Sequence, residues 1–171
     1  ASVEDTPTTE DVSASTDEDT AVDITFNGND GDGDTLSYSI VSDASNGSTM
    51  ITDASTSITG TAYVTYTPDS NFNGTDTFTY KANDGDEDSN TSTVTITISS
   101  VEDTPTTEDV SASTDEDTAV DITLDGTDGD GDDLTYSIVS DVSNGTTSIS
   151  GSTVTYTPDS NYNGTDTFTY K

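Results

Sequence analysis

The chain has 171 residues, with 35 acidic side chains against two lysines, no arginine, histidine, cysteine or tryptophan, and a formal charge of −33. Such a surface has no cations for nucleic-acid phosphates or an anionic membrane, and no His or Cys for nucleophilic catalysis or for zinc and copper. No run approaches the roughly 18 apolar residues of a membrane span, and no basic-then-apolar leader is visible. Only 27% of residues are hydrophobic; with this charge that is the usual mark of disorder, but here the apolar residues are patterned.

In chain order, the first signal is Val3-Glu4-Asp5-Thr6-Pro7. Proline fixes its own φ and biases the residue before it towards extended backbone, so this reads as a short stiff connector. Period-two alternation follows. Val22, Ile24 and Phe26 alternate with Asp23 and Thr25, and Leu36, Tyr38 and Ile40 with Ser37 and Ser39. Val64 and Tyr66, Phe78 and Tyr80, and Val94, Ile96 and Ile98 behave likewise. One apolar and one Thr/Ser/Asp face suits half-buried antiparallel strands. About seven are expected, lettered in chain order: A near Val12–Ser15, B at Ala21–Phe26, C at Leu36–Val41, D near Met50–Thr59, E at Tyr63–Tyr66, F at Thr77–Lys81 and G at Thr93–Ser99. Turn signals stand at Asn27-Gly28, Asn46-Gly47, Pro68-Asp69, Asn73-Gly74 and Asp84-Gly85. The alternation turns Tyr38, Tyr66, Phe78 and Tyr80 inward, and Phe72 is expected to plug a corner between strands.

Val101 to Asp121 repeats Val3 to Asp23 without change, 98 positions on. The Thr65–Asn71 stretch returns as Thr155–Asn161 after 90, so the first copy carries an eight-residue insertion within about Ile51–Ala62. So long a period means an array of whole domains rather than a solenoid. The expected fold is all-β: tandem antiparallel Greek-key sandwiches of cadherin- or immunoglobulin-like type. Residues 1–100 form the first repeat. Residues 101–171 form the second, incomplete because Lys171 matches Lys81 and its strand G is lacking. The chain thus reads as a piece of a longer array; the alternative is a strand donated by a neighbour.

The acidic residues fall in loops. In this strand order Asp17, Glu18 and Asp19 occupy the A–B turn and Asp69, Asn71, Asn73 and Asp76 the E–F loop, at one pole. The connector Glu102-Asp103 follows, and then the B–C loop of the second repeat with Asp128, Asp130, Asp132 and Asp133. The first repeat's opposite pole holds Asp30, Asp32 and Asp34 with Asn83, Asp84, Asp86 and Asp88, beside Glu4 and Asp5. Crowded carboxylates repel by roughly 1 kcal/mol per pair at 4 Å in water. Calcium, which takes six to eight oxygens in flexible geometry, fits such a set better than magnesium. Asp-Gly-Asp-Gly-Asp is not an EF-hand, because position twelve from Asp30 or Asp128 is Val41 or Val139 and a strand follows where a helix should. A solvated acidic loop is the bland alternative.

These motifs together, with the run Tyr66-Thr-Pro-Asp-Ser-Asn-Phe-Asn-Gly-Thr-Asp-Thr-Phe-Thr-Tyr80, resemble the cadherin-like tandem repeats of large bacterial surface proteins and adhesins, over nearly the whole chain. The resemblance implies calcium between successive domains, with ligand roles for Glu18, Glu102, Asp103, Asp128, Asp130 and Asp132. In that family the connector commonly reads Asn-Asp; here it is Glu-Asp, a longer acidic side chain in place of a short amide. The expected function is a calcium-rigidified spacer at the cell surface, its partners the neighbouring repeats. No enzyme is expected. Two other readings stand beside it: a carbohydrate-binding adhesin module, for which only Tyr63 is spare among the aromatics, and a filament subunit assembling across an open sheet edge. Asn46, Asn73, Asn90, Asn144 and Asn163 begin glycosylation sequons, most of them also Asn-Gly turns. Lys81 is expected in an exposed ion pair.

Overall fold

A computed structural model describes residues 4–53 and 61–171. All of its regular structure is strand, and it separates into two compact units, Ala1–Val101 and Glu102–Lys171.

Unit 1 is a sandwich of two four-stranded sheets. One sheet runs in the order β1 (Thr8–Thr9), β3 (Val22–Asn29), β6 (Thr61–Pro68), β5 (Gly47–Asp53). The other runs β2 (Val12–Asp17), β8 (Ser92–Ser99), β7 (Gly74–Asn83), β4 (Ser37–Ser42). The strands inferred from alternation are there, mostly longer than expected, because Thr and Asp on the outer face extend pairing without needing burial. The second half of the fourth expected strand lies outside the described residues.

The pairing departs from expectation in two places. β2 pairs with β8 in parallel, Val12 opposite Val94 through Asp17 opposite Ser99. The chain manages this by starting in one sheet, as β1 on β3, and crossing to the other after Asp11. Second, Asn27-Gly28 is no turn: Thr9 pairs with Gly28 inside the β1–β3 ladder. Glycine is needed there for closeness, since a Cβ would run into the Tyr38 hydroxyl and the Leu36 side chain.

The inward faces meet as the alternation requires. Phe26 of β3 stacks on Tyr80 of β7 at 4.0 Å between centroids and 5° between planes, which ties one sheet to the other. Tyr66, Val64, Phe78, Val94 and Ile96 are buried around them, and Phe72 packs against this cluster from the corner. Each such side chain contributes about 1.5–3 kcal/mol on burial, and the aromatic pair adds about 0.5–1.5. The Tyr80 hydroxyl donates to the Glu10 carbonyl at 2.7 Å; burial, with Tyr38 nearby, pushes its pKa up to about 12.

Unit 2 repeats the first unit's β3–β6–β5 arrangement as β10 (Val120–Thr123), β14 (Thr153–Pro158) and β13 (Gly145–Ser150). Two short pairs complete it: β9 (Thr106–Thr107) with β11 (Gly126–Thr127), and β12 (Ile138–Ser140) with β15 (Thr169–Tyr170). Val110–Asp115 has the same sequence as β2, yet it forms no strand. Phe168 and Tyr170, twins of the buried Phe78 and Tyr80, are only half-buried.

Candidate functional site

The acidic residues of unit 1 collect at two poles. At the first, Asp19 takes a left-handed turn conformation (φ 54°), and its Oδ1 accepts from the Asn71 N–H at 3.2 Å, bringing the A–B turn against the E–F loop. Glu18 is only 4% exposed. Its N–H donates to the Ser99 carbonyl at 2.9 Å, and its Oε1 accepts from the Val101 N–H. Its Oε2 is buried and accepts from nothing. A buried carboxylate oxygen without a hydrogen-bond donor is costly. Asp17 is exposed beside it.

Asp76, expected as a ligand at the same pole, is otherwise engaged. It is 4% exposed, and its two oxygens accept from Ser45 N–H at 3.1 Å, Asn46 N–H at 2.8 Å, Thr77 N–H at 2.8 Å and the Tyr66 hydroxyl at 3.0 Å. Burial pushes its pKa up, but the N–H groups of Asn46, Ser45 and Thr77 and the Tyr66 hydroxyl outweigh it and hold the carboxyl below its ordinary value. Asp76 is a clamp that fixes the turn before β5. Asp166 repeats it in unit 2, accepting from Ser143, Asn144 and Thr167 N–H.

At the other pole the connector folds onto the B–C loop. The Asp5 N–H donates to Asp32 Oδ2 at 2.7 Å, and Asp30 Oδ1 accepts from the N–H groups of Asp32 and Asp34 at 3.0 and 2.9 Å. Asp30 Oδ2 is a second buried oxygen without a donor. A Cβ on Gly31 would strike the Asp5 carboxylate, and Gly33 sits at φ +81°, so both glycines of the Asp-Gly-Asp-Gly-Asp run are needed. Asp34, then Asp32, with burial, Asp86 and Asp84 adding less, push the Glu4 pKa above its ordinary value. That shift is the signature of one negative charge surrounded by four others. Asp84 caps the F–G turn, with its Oδ1 accepting from Asp86 and Glu87 N–H. Glu87, which the sequence reading passed over, accepts from the Thr6 hydroxyl at 2.7 Å and so fastens the connector to this loop. Its only sequence signal is its place directly after Asp84-Gly85-Asp86.

Unit 2 reproduces the connector geometry. The Asp103 N–H donates to Asp130 Oδ2 at 2.7 Å, and Asp128 Oδ1 accepts from Asp130 and Asp132 N–H at 3.0 and 3.2 Å. Glu102, Asp130 and Asp132 are exposed. Among the described residues, no three Asp or Glu side chains come close enough to one another to hold a metal ion. The carboxylates share poles, while their oxygens stand apart.

Lys81 pairs with Asp88, both partly exposed, and Asp88 is held below its ordinary pKa by that hydrogen bond and by the Asn83 amide. Exposed pairs of this kind contribute little. A Lys81→Met variant should therefore unfold in urea at an unchanged midpoint. Tyr63 is 45% exposed.

A bacterial Ig domain family model, Big_9, matches residues 4–97 and again residues 102–171. Among curated proteins, none matches the sequence. Among solved structures, an endo-fucoidan hydrolase of glycoside hydrolase family 107 aligns at 21% identity and a TM-score of 0.52. The alignment covers 97% of this chain, which spans about a quarter (26%) of that one. Cadherin domains 3–6 of protocadherin gamma B2 align at 15% identity and a TM-score of 0.48, over 90% of this chain and 38% of theirs. The D00–D0 domain pair of intimin aligns at 18% identity and a TM-score of 0.38, over 96% and 91%.

Proposed function

Since the chain belongs to the bacterial Ig domain family, as two repeats in tandem, we propose that it is a structural spacer of an extracellular adhesin or surface fibre, stiffened by Ca²⁺ bound at the joint between repeats. The observation that carries this reading is Glu18. It is a buried carboxylate with one oxygen held by Val101, the residue just before the Glu102-Asp103 connector, and the other without a donor. The duplicated hydrogen bonds of Asp5 to Asp32 and Asp103 to Asp130 support it, because each connector is fastened to the acidic loop of the repeat it enters. The donor chemistry is all oxygen, the preference of calcium. Glu18, Glu102, Asp103, Asp128, Asp130 and Asp132 are the proposed ligands, and at the first repeat's other pole Glu4, Asp5, Asp30, Asp32, Asp34 and Asp84. Asp17 and Asp19 lend charge. Asp76, its oxygens already committed, takes the clamp role instead. The bound ion supplies the positive charge that lets these oxygens share a small volume.

Small-angle scattering tests the rod directly. In several millimolar calcium, the range suited to extracellular modules, the two repeats should scatter as one extended particle, and chelator should convert this to a bent ensemble with a smaller maximum dimension. Identical profiles in the two buffers would end the proposal.

A further inference from the structure

We propose that the five Asn-Gly pairs of this chain are not equivalent, and that Asn73 and Asn163 are sites of spontaneous imide formation, which turns each into aspartate or isoaspartate. The pairs are Asn27-Gly28, Asn46-Gly47, Asn73-Gly74, Asn144-Gly145 and Asn163-Gly164. Glycine lacks a Cβ, so its backbone nitrogen can approach the Cγ of the asparagine before it. The step needs no partner but water. The glycine nitrogen bonds to Cγ, the Cγ–Nδ2 bond breaks, and ammonia leaves with the glycine amide proton. Water then opens the ring at either carbonyl. Opening at Cγ gives aspartate, and opening at the main-chain carbonyl gives isoaspartate.

The fold closes three of the pairs against this step and leaves two open. Asn27-Gly28 lies inside β3, with Asn27 opposite Thr61 and Gly28 opposite Thr9. The Tyr38 hydroxyl and the Leu36 side chain crowd the place where a Gly28 Cβ would stand, at 2.7 and 2.8 Å. Asn46 is tied at both of its peptide groups. Its N–H donates to Asp76 Oδ2 at 2.8 Å, and its carbonyl accepts from the Asp69 N–H at 2.9 Å. Gly47 beside it is covered by the Thr67 carbonyl and the Tyr66 ring. Asn144 repeats these ties with Asp166 Oδ2 and the Asp159 N–H, at 2.7 and 2.9 Å. A side chain cannot close over a peptide that is packed and bonded unless the segment first opens. Asn73 and Gly74 are both exposed. Gly74 begins β7 at φ +132°, and among the described residues a Cβ there would meet only the Phe72 ring, at 3.7 Å. Asn163 and Gly164 are exposed too, and the nearest atoms to a Gly164 Cβ all belong to the Tyr162 side chain. Both asparagines follow a loop tied down by its backbone, through Asn71 N–H to Asp19 and Asn161 N–H to Asp117. Conversion adds a negative charge to that loop, and isoaspartate also lengthens the main chain by one carbon.

The test incubates the full chain in mildly alkaline buffer, once folded and once unfolded in urea, and follows each pair by peptide mapping and mass spectrometry. Conversion raises the mass of a peptide by about one unit, and the rate at each asparagine is divided by its own rate in urea, which removes the effect of neighbouring sequence. The ratios at Asn73 and Asn163 should exceed those at Asn27, Asn46 and Asn144 at least about tenfold. The converted peptides should contain isoaspartate, which elutes apart from aspartate and forms only through the ring. The inference is overturned if the five ratios are alike, if Asn27, Asn46 or Asn144 leads, or if Asn73 or Asn163 keeps its amide in the folded chain while the unfolded chain converts. Aspartate without isoaspartate would also overturn it, since direct hydrolysis of the side-chain amide gives that product alone.

Discussion

Replacing Asp76 with alanine should destabilise unit 1 by about 3 kcal/mol or more at pH 7, because three backbone N–H groups lose their acceptor and the buried Tyr66 hydroxyl loses the nearer of its two, keeping only the Asn46 carbonyl at 3.2 Å. Burial, and then the hydrogen bond to Asp76, hold the Tyr66 hydroxyl protonated far above its ordinary pKa, so it remains a donor that must be answered. Urea unfolding, followed through the first repeat, measures the loss. The pH dependence separates this clamp from a mere filling of space. The folded Asp76 carboxyl lies below its ordinary value of 3.8. Its contribution is therefore fully present above that value and lost as pH falls through the depressed folded pKa. The stability difference between the wild type and Asp76→Asn should stay constant from pH 7 to 5 and shrink below about 4. A difference that is flat down to pH 2 would mean the ionised form makes no special contacts.

Inward faces were legible in the sequence because alternation leaves one choice of face per strand. Phe26, Tyr38, Tyr66, Phe78 and Tyr80 could only point one way. Two things were not legible. Asn27-Gly28 looks like a turn to any rule based on dipeptides, and only the nearness of Tyr38 and Leu36 explains a glycine inside a ladder. The fate of Val110–Asp115 was equally hidden, since identical residues behave differently in the two units. Strand formation there depends on a partner distant in sequence rather than on local preference.

At the candidate site, composition revealed which loops are acidic but not what each carboxylate does. Asp76 and Glu18 look alike as acids flanking turns, and both are buried. One has every oxygen answered by a donor, and the other has an oxygen with none. That distinction depends on which N–H groups the folded chain points at each side chain, and spacing alone cannot encode it. The connector was more readable. Two identical copies of Val-Glu-Asp-Thr-Pro followed by identical Asp-Gly-Asp-Gly-Asp loops fold alike, with Asp5 on Asp32 and Asp103 on Asp130 both at 2.7 Å.

Calcium at 10–100 times its dissociation constant should stabilise the chain by about 1.4–2.7 kcal/mol, seen as a rise in melting temperature that saturates with the ion. Glu18→Gln should remove most of that rise. The glutamine oxygen can still accept from the Val101 N–H, so the local fold is kept, but the side chain no longer carries the charge that a hard cation requires. In chelator the same variant should melt no lower than the wild type, because it eliminates a buried anion with an unanswered oxygen. These two results, no loss without the ion and a large loss with it, distinguish a ligand from a structural acid such as Asp76, whose replacement should destabilise in both buffers alike. Asp130→Asn with Asp132→Asn supplies the matching test in unit 2, where both side chains are exposed, the asparagine oxygen can still accept from the Asp103 N–H, and the change should cost little in chelator. If Glu18→Gln keeps the full calcium-dependent rise, the ion is bound elsewhere and Glu18 is no ligand.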